Sequence, residues 1–135
     1  MQNFADLQTE LLYYAIYFGG GVVMLLVFSI IYMAITPYNE IALIRKGSGA
    51  AALSFGGTII GFSLTLAASA IYNTGFIAFL VWSAVAMIVQ IIGYFIMVSI
   101  IGDVPEHIKR NNLAVGGLIG ISGLVLGIIN AGILS

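Results

Sequence analysis

FIAFLVWSAVAMIVQIIGYFIMVSII, residues 76–101, carries no charge and a single strongly polar side chain, Gln90. A helix needs about 20 residues to cross a hydrocarbon core about 30 Å thick, and this run is long enough. Three more uncharged runs flank it, at roughly 11–35, 50–72 and 113–134. A transmembrane barrel would show segments of about ten residues with alternating polarity, and the chain has none. Helices satisfy their own backbone hydrogen bonds in lipid, so the reading is an all-α membrane protein of four transmembrane helices.

Composition agrees. Of 135 residues, 61% are hydrophobic and 7% charged, with a mean hydropathy of +1.16, whereas a soluble domain carries about 25% charged residues. The ionisable acidic, basic and imidazole groups form three patches: Asp6 and Glu10; Glu40, Arg45 and Lys46; and Asp103, Glu106, His107, Lys109 and Arg110. The net charge of −1 offers no basic field for nucleic acid. Cysteine is absent, which removes disulfides and thiolate metal sites. With one histidine and no cysteine, no metal or cofactor site is expected. The residues ahead of the first run are acidic, and the run is longer than a signal-peptide core, so it reads as a retained span.

Lys and Arg near helix ends stay on the cytoplasmic side. Arg45 and Lys46 lie between the first two spans, Lys109 and Arg110 between the last two, and Asn73-Thr74-Gly75 carries no charge. Both basic loops then face the cytoplasm and both termini the periplasm. Tyr13, Tyr14, Tyr17, Tyr72 and Trp82 fall near the outer interface, Tyr32 and Tyr38 near the inner one, where amphipathic rings are favoured. Packing between helices is the other reading of Tyr32. Thr36-Pro37 looks like a cap followed by a first-turn proline, and Asp103-x-x-Glu106 has capping-box spacing. Each loop is expected to hold a short interfacial helical turn ending in its two basic residues.

The halves resemble each other. Residues 44–50 align with 108–114 at an offset of 64, and the small-residue stripe of the second span matches that of the fourth at an offset of 66. This reads as a hairpin duplication within a single integral-membrane domain, 1–135, with repeat one at about 11–72 and repeat two at about 76–134. The stripes are Ala50, Ser54, Gly57, Gly61, Thr65 and Ala68, and Gly116, Gly120, Gly123, Gly127 and Ala131. Spacings of three and four keep each stripe on one helix face. Small faces let backbones approach closely, which drives association in lipid. The expected helix-packing residues are Ser54, Gly57, Gly61, Gly116, Gly120, Gly123 and Gly127, with either the other span or a second copy as partner.

No carboxylate lies within a span, which argues against a proton-coupled pump. Gln90, Ser63, Thr65 and Ser69 are the candidate polar lining of a pathway. The plainer reading of Gln90 is an interhelical hydrogen bond, worth on average about 0.6 kcal/mol in one membrane host. No nucleophile has a base beside it, so no catalytic residue is assigned and no enzyme is expected. Arg45, Lys46, Lys109 and Arg110 serve as topology anchors and as contacts to anionic headgroups or a cytoplasmic protein.

The stretch from Glu40 to Phe62, the segment from Trp82 to Gln90, and Asn112-Leu-Ala-Val-Gly through Asn130-Ala-Gly resemble the YjfL-like bacterial inner-membrane family, a domain of unknown function (number 350). The resemblance runs from about Tyr14 onward, with Gly47-Ser48 standing where the family often has Gly-Asn. It implies duplicated hairpins in a bacterial inner membrane and a peripheral cytoplasmic partner linked to membrane stress or remodelling, and it supplies no catalytic residues. The combined expectation is a non-enzymatic, homo-oligomeric inner-membrane scaffold that self-associates through its small-residue faces and presents basic loops to lipid or such a partner. The alternative is a small oligomeric channel or carrier.

Overall fold

A computed structural model describes residues 3–135. The order is a long helix, a six-residue helix and a long helix, twice: α1 (Phe4–Ile35), α2 (Glu40–Arg45), α3 (Gly49–Tyr72), α4 (Phe76–Ile101), α5 (Val104–Lys109) and α6 (Leu113–Leu134). There are no strands among the described residues. All four long helices are long and apolar enough to cross a bilayer.

α1 begins earlier than the uncharged run does. Its 32 residues extend about 48 Å at 1.5 Å per residue, well beyond a hydrocarbon core. The added turns carry Asp6 and Glu10, and the Asn3 backbone N–H donates to Asp6 Oδ2 at 3.1 Å. An acidic side chain in a first turn complements the helix dipole.

The short helices form as expected, but their caps differ. Pro37 lies in the bend, and α2 starts three residues later, with Asn39 Oδ1 accepting from the Ala42 N–H at 3.0 Å. Asp103 does precede α5, yet it sits at φ 51° and makes no side-chain cap bond, so the capping box does not form. The exits match closely. Gly47 and Asn111 both adopt positive φ, at 89° and 58°. Ser48 N–H donates to Leu43 O, and Asn112 N–H to His107 O, both at 2.9 Å. Ser48 Oγ then caps α3 through the Ala51 N–H, and Asn112 Oδ1 caps α6 through Ala114 and Val115. Gly and Asn are the residues that tolerate the left-handed region, which is why they stand at these two positions.

α3 lies at the centre. It packs along its whole length on α6, while α4 touches both and α1 rests on α3 and α4. α3 and α6 run parallel, since Ala50 meets Gly116 near one end and Gly61 meets Gly127 farther along. Parallel packing places both basic loops at one end of the bundle. α1 is the outlier: Leu11, Phe18, Val23 and Ile30 point away from the protein. It is held through Tyr17, whose ring is 5.5 Å from Phe76 and 5.4 Å from Phe79, and through Phe28, 4.5 Å from Phe62.

Candidate functional site

The small-residue stripes face each other inside one chain. A Cβ added to Gly57 would strike the backbone of Gly120; one on Gly116 would strike Ala50, and one on Gly127 would strike Gly61. Gly61 and Gly120 are closed off in the same way by Gly123 and Leu53. At Gly123 the added atom would lie 2.7 Å from Thr58 Oγ1. Ser54 is fully buried within this seam. The seam joins two helices of one chain, which corrects the expectation that these faces are free to join two copies. Dispersion contacts between backbones at this range hold helices together where lipid offers no hydrophobic gain.

The polar residues are divided among separate tasks. Thr65 Oγ1 crosses the seam to donate to Gly127 O at 3.0 Å. Gln90 Nε2 donates to Thr58 O and to Gly123 O, both at 3.2 Å, so α4 is pinned to the two seam helices together. Ser69 Oγ donates to Phe79 O at 3.2 Å and accepts from Asn73 Nδ2 at 2.9 Å. Ser63 donates within its own helix, to Ile59 O, and borders a crevice beside α1. Gln90 borders a different crevice of about 370 Å³, between α4 and α6, together with Gly93, Met97 and Leu126. These four residues therefore share no common path.

At the loop end, Arg45, Lys46, Lys109 and Arg110 are all exposed. Asn111 Oδ1 accepts from the Ala50 N–H at 2.9 Å, a bond that ties the turn after α5 to the first turn of α3. Lys109 Nζ lies 3.7 Å from Glu106 Oε1; the pair is exposed and contributes little to stability. Asn112 Nδ2 sits 3.0 Å from His107 Nδ1, so the histidine is part of the turn. No group of metal-ligating side chains occurs among the described residues.

One cluster had no sequence signal. Glu40 is fully buried although it opens a surface helix, and its Oε1 is hydrogen-bonded to Thr36 Oγ1. Tyr32 is fully buried and Tyr38 nearly so, so Tyr32 follows its second reading, packing between helices, and Tyr38 of the bend is likewise covered by protein. The Tyr32 ring stands edge-on to Tyr94 of α4 at 5.2 Å and lies 5.7 Å from Phe55 of α3. The Tyr32 and Tyr38 hydroxyls and Glu40 Oε2 are buried without a hydrogen-bond partner. Burial pushes the Glu40 carboxyl above the usual carboxylate range and holds the Tyr38 phenol well above its ordinary value. Tyr94 is far from the others in sequence, and the bend at Pro37 breaks the helical period that would link Tyr32 to Tyr38 and Glu40. By contrast Tyr13, Tyr14, Tyr72 and Trp82 are exposed at the end opposite the loops, as an aromatic belt requires.

Residues 6–134 match the family described as Domain of Unknown Function (DUF350). The chain belongs to this family. It is 34% identical over 122 residues to the UPF0719 inner membrane protein YjfL of Escherichia coli (strain K12), covering 90% of this chain and 92% of the relative. It is 26% identical over 111 residues to the UPF0719 transmembrane protein YshE of Bacillus subtilis (strain 168), covering 81% and 83%. No solved structure matches. With four apolar helices and relatives of this kind, this member of the DUF350 family is a multi-pass membrane protein.

Proposed function

We propose that this DUF350 member is a non-enzymatic scaffold of the bacterial inner membrane, with a rigid α3–α6 core that presents Arg45, Lys46, Lys109 and Arg110 as one cytoplasmic patch. The observation that carries this reading is the Asn111–Ala50 bond, which ties the turn after Lys109 and Arg110 to the first turn of α3 at the end of the glycine seam. The patch is suited to anionic headgroups, each basic side chain near the surface contributing about 1 kcal/mol, or to an acidic face of a peripheral membrane-stress or remodelling protein. The near-identical loop exits favour descent from a duplicated hairpin. Self-association in this account uses lipid-facing surface outside the seam, because the stripes are already engaged with each other. Dispersal of Gln90, Ser63, Thr65 and Ser69 over separate contacts weighs against a channel or carrier.

The test is native mass spectrometry of protein released from nanodiscs of mixed neutral and anionic lipid. The wild type should retain anionic lipid in preference to neutral, and a variant with all four basic residues changed to Gln should lose that preference. Equal retention by both proteins would remove the patch from the account. Flux of ions through reconstituted wild-type protein would reopen the channel reading.

A further inference from the structure

Glu40 begins with a problem created next door. Met33 O lies in the last turn of α1, and the residue four positions on is Pro37, which has no N–H to offer it. The Thr36 hydroxyl takes that role, at 3.2 Å from Met33 O. The same hydroxyl is bonded to Glu40 Oε1, and Tyr38 O is 3.4 Å away. A hydroxyl carries one hydrogen. If Thr36 gives it to Met33, the hydrogen between Thr36 and Glu40 must come from the carboxyl.

The surroundings point the same way. Glu40 is fully buried, and the groups that meet its carboxyl are neutral: the Thr36 hydroxyl and its own backbone N–H bond to it, and the phenols of Tyr32 of α1, Tyr38 of the bend and Tyr94 of α4 lie close enough to feel its charge. From α3, Ser54 and Thr58 reach Tyr32. No basic side chain enters the cluster from any of these elements, and Arg45 and Lys46 of its own segment are exposed. A buried carboxylate with no counter-charge is costly, and protonation relieves that cost. The second oxygen, Oε2, and the Tyr32 and Tyr38 hydroxyls are buried and unpartnered, so the cluster has unused acceptors for a proton to settle among.

We propose that Glu40, enclosed by Thr36, Tyr32, Tyr38 and Tyr94, is a proton-binding site at the joint between α1 and α2, occupied at neutral pH and emptied as the solution becomes alkaline. The site is independent of the scaffold reading. In the occupied state the Glu40 O–H donates to Thr36 and Thr36 donates to Met33, which locks the end of α1 to the start of α2. Loss of the proton leaves a bare carboxylate in the cage and loosens that joint. Because the folded protein holds the proton more tightly than the unfolded chain, stability is full at acid pH. It falls as pH rises from the ordinary carboxylate range toward the site's own value.

The chain has three glutamates, Glu10, Glu40 and Glu106, so carboxyl-13C glutamate labelling in nanodiscs gives a readable NMR spectrum. At neutral pH one of three signals should sit at the protonated position and move to the ionised position only on alkalinisation. It should vanish in Glu40→Gln and persist in Glu10→Gln and Glu106→Gln, which assign it by elimination even if the Glu40 variant fails to fold. Thermal unfolding of Glu40→Gln should lack the decline expected of wild type as pH rises from the ordinary carboxylate range toward the site's own value. Three ionised signals at neutral pH would overturn the proposal. So would a midpoint that moves when sodium and potassium are replaced by choline, because a metal cation would then be the occupant.

Discussion

The α3–α6 seam and the α1–α2 corner are both buried, and they are built on opposite principles. In the seam, side chains are small or absent: Gly57, Gly61, Gly116, Gly120 and Gly127 leave backbone against backbone, Ser54 and Thr58 donate within their own helix, and Thr65 and Gln90 donate to seam carbonyls, with Gln90 Oε1 left unpartnered. In the corner, large side chains crowd together, and Tyr32, Tyr38 and Glu40 each keep a polar atom without a partner. Two helices whose backbones touch along their length have one arrangement to occupy. A region with spare acceptors and donors can rearrange when a proton comes or goes. The comparison assigns rigidity to α3–α6 and responsiveness to the corner.

Five substitutions would break or sharpen that contrast. Phe28→Ala removes the ring, tilted against Phe62 with centroids 4.5 Å apart, that fastens α1 to the core. It should cost about 3–5 kcal/mol in a reversible unfolding titration in mixed micelles, with α1 becoming protease-sensitive before α3. Gly127→Ala places a methyl in the backbone of Gly61 and should cost about 1–3 kcal/mol by the same titration. Gly56→Ala has open space around it and should cost nothing. Equal losses at Gly56 and Gly127 would mean that the seam does not set the effect, since Ala is the better helix former at both positions. Gln90→Leu deletes two bonds that pin α4, and a loss of about 0.6–1.7 kcal/mol is expected from interhelical bonds in lipid; hydrogen exchange should rise in α4 first. Tyr32→Phe has the smallest expected effect. It removes a hydroxyl with no partner, so unfolding should shift by under about 1 kcal/mol, toward greater stability. A large loss there would mean that the hydroxyl is bonded in the native membrane.

The seam was legible because it is periodic. Residues at spacings of three and four declare a face, and uncharged runs of span length declare a lipid-crossing helix, so fold and stripe residues could be read directly. The partner of the stripe could not, since spacing specifies a surface and says nothing of what covers it. The corner has no period. Glu40 looked like one more loop charge, and its burial follows from the bend at Thr36–Pro37 turning α2 back under Tyr32 and Tyr94. The caps were misread for a related reason: Thr36 and Asp103 have the right side chains, but the bend at Pro37 and the left-handed turn at Asp103 put the helix starts elsewhere.

That the stripes meet within one chain is the claim on which the rest depends, and the absence of natural cysteine makes it directly measurable. Leu53 and Gly117 flank the seam, with a Cβ at Gly117 falling 4.0 Å from Leu53 Cδ1. Oxidation of the Leu53→Cys/Gly117→Cys double variant in native membranes should link the two positions within single chains. Co-expressed single variants carrying different tags should give no dimer. Efficient dimer formation between the single variants, with no internal link in the double variant, would contradict the account.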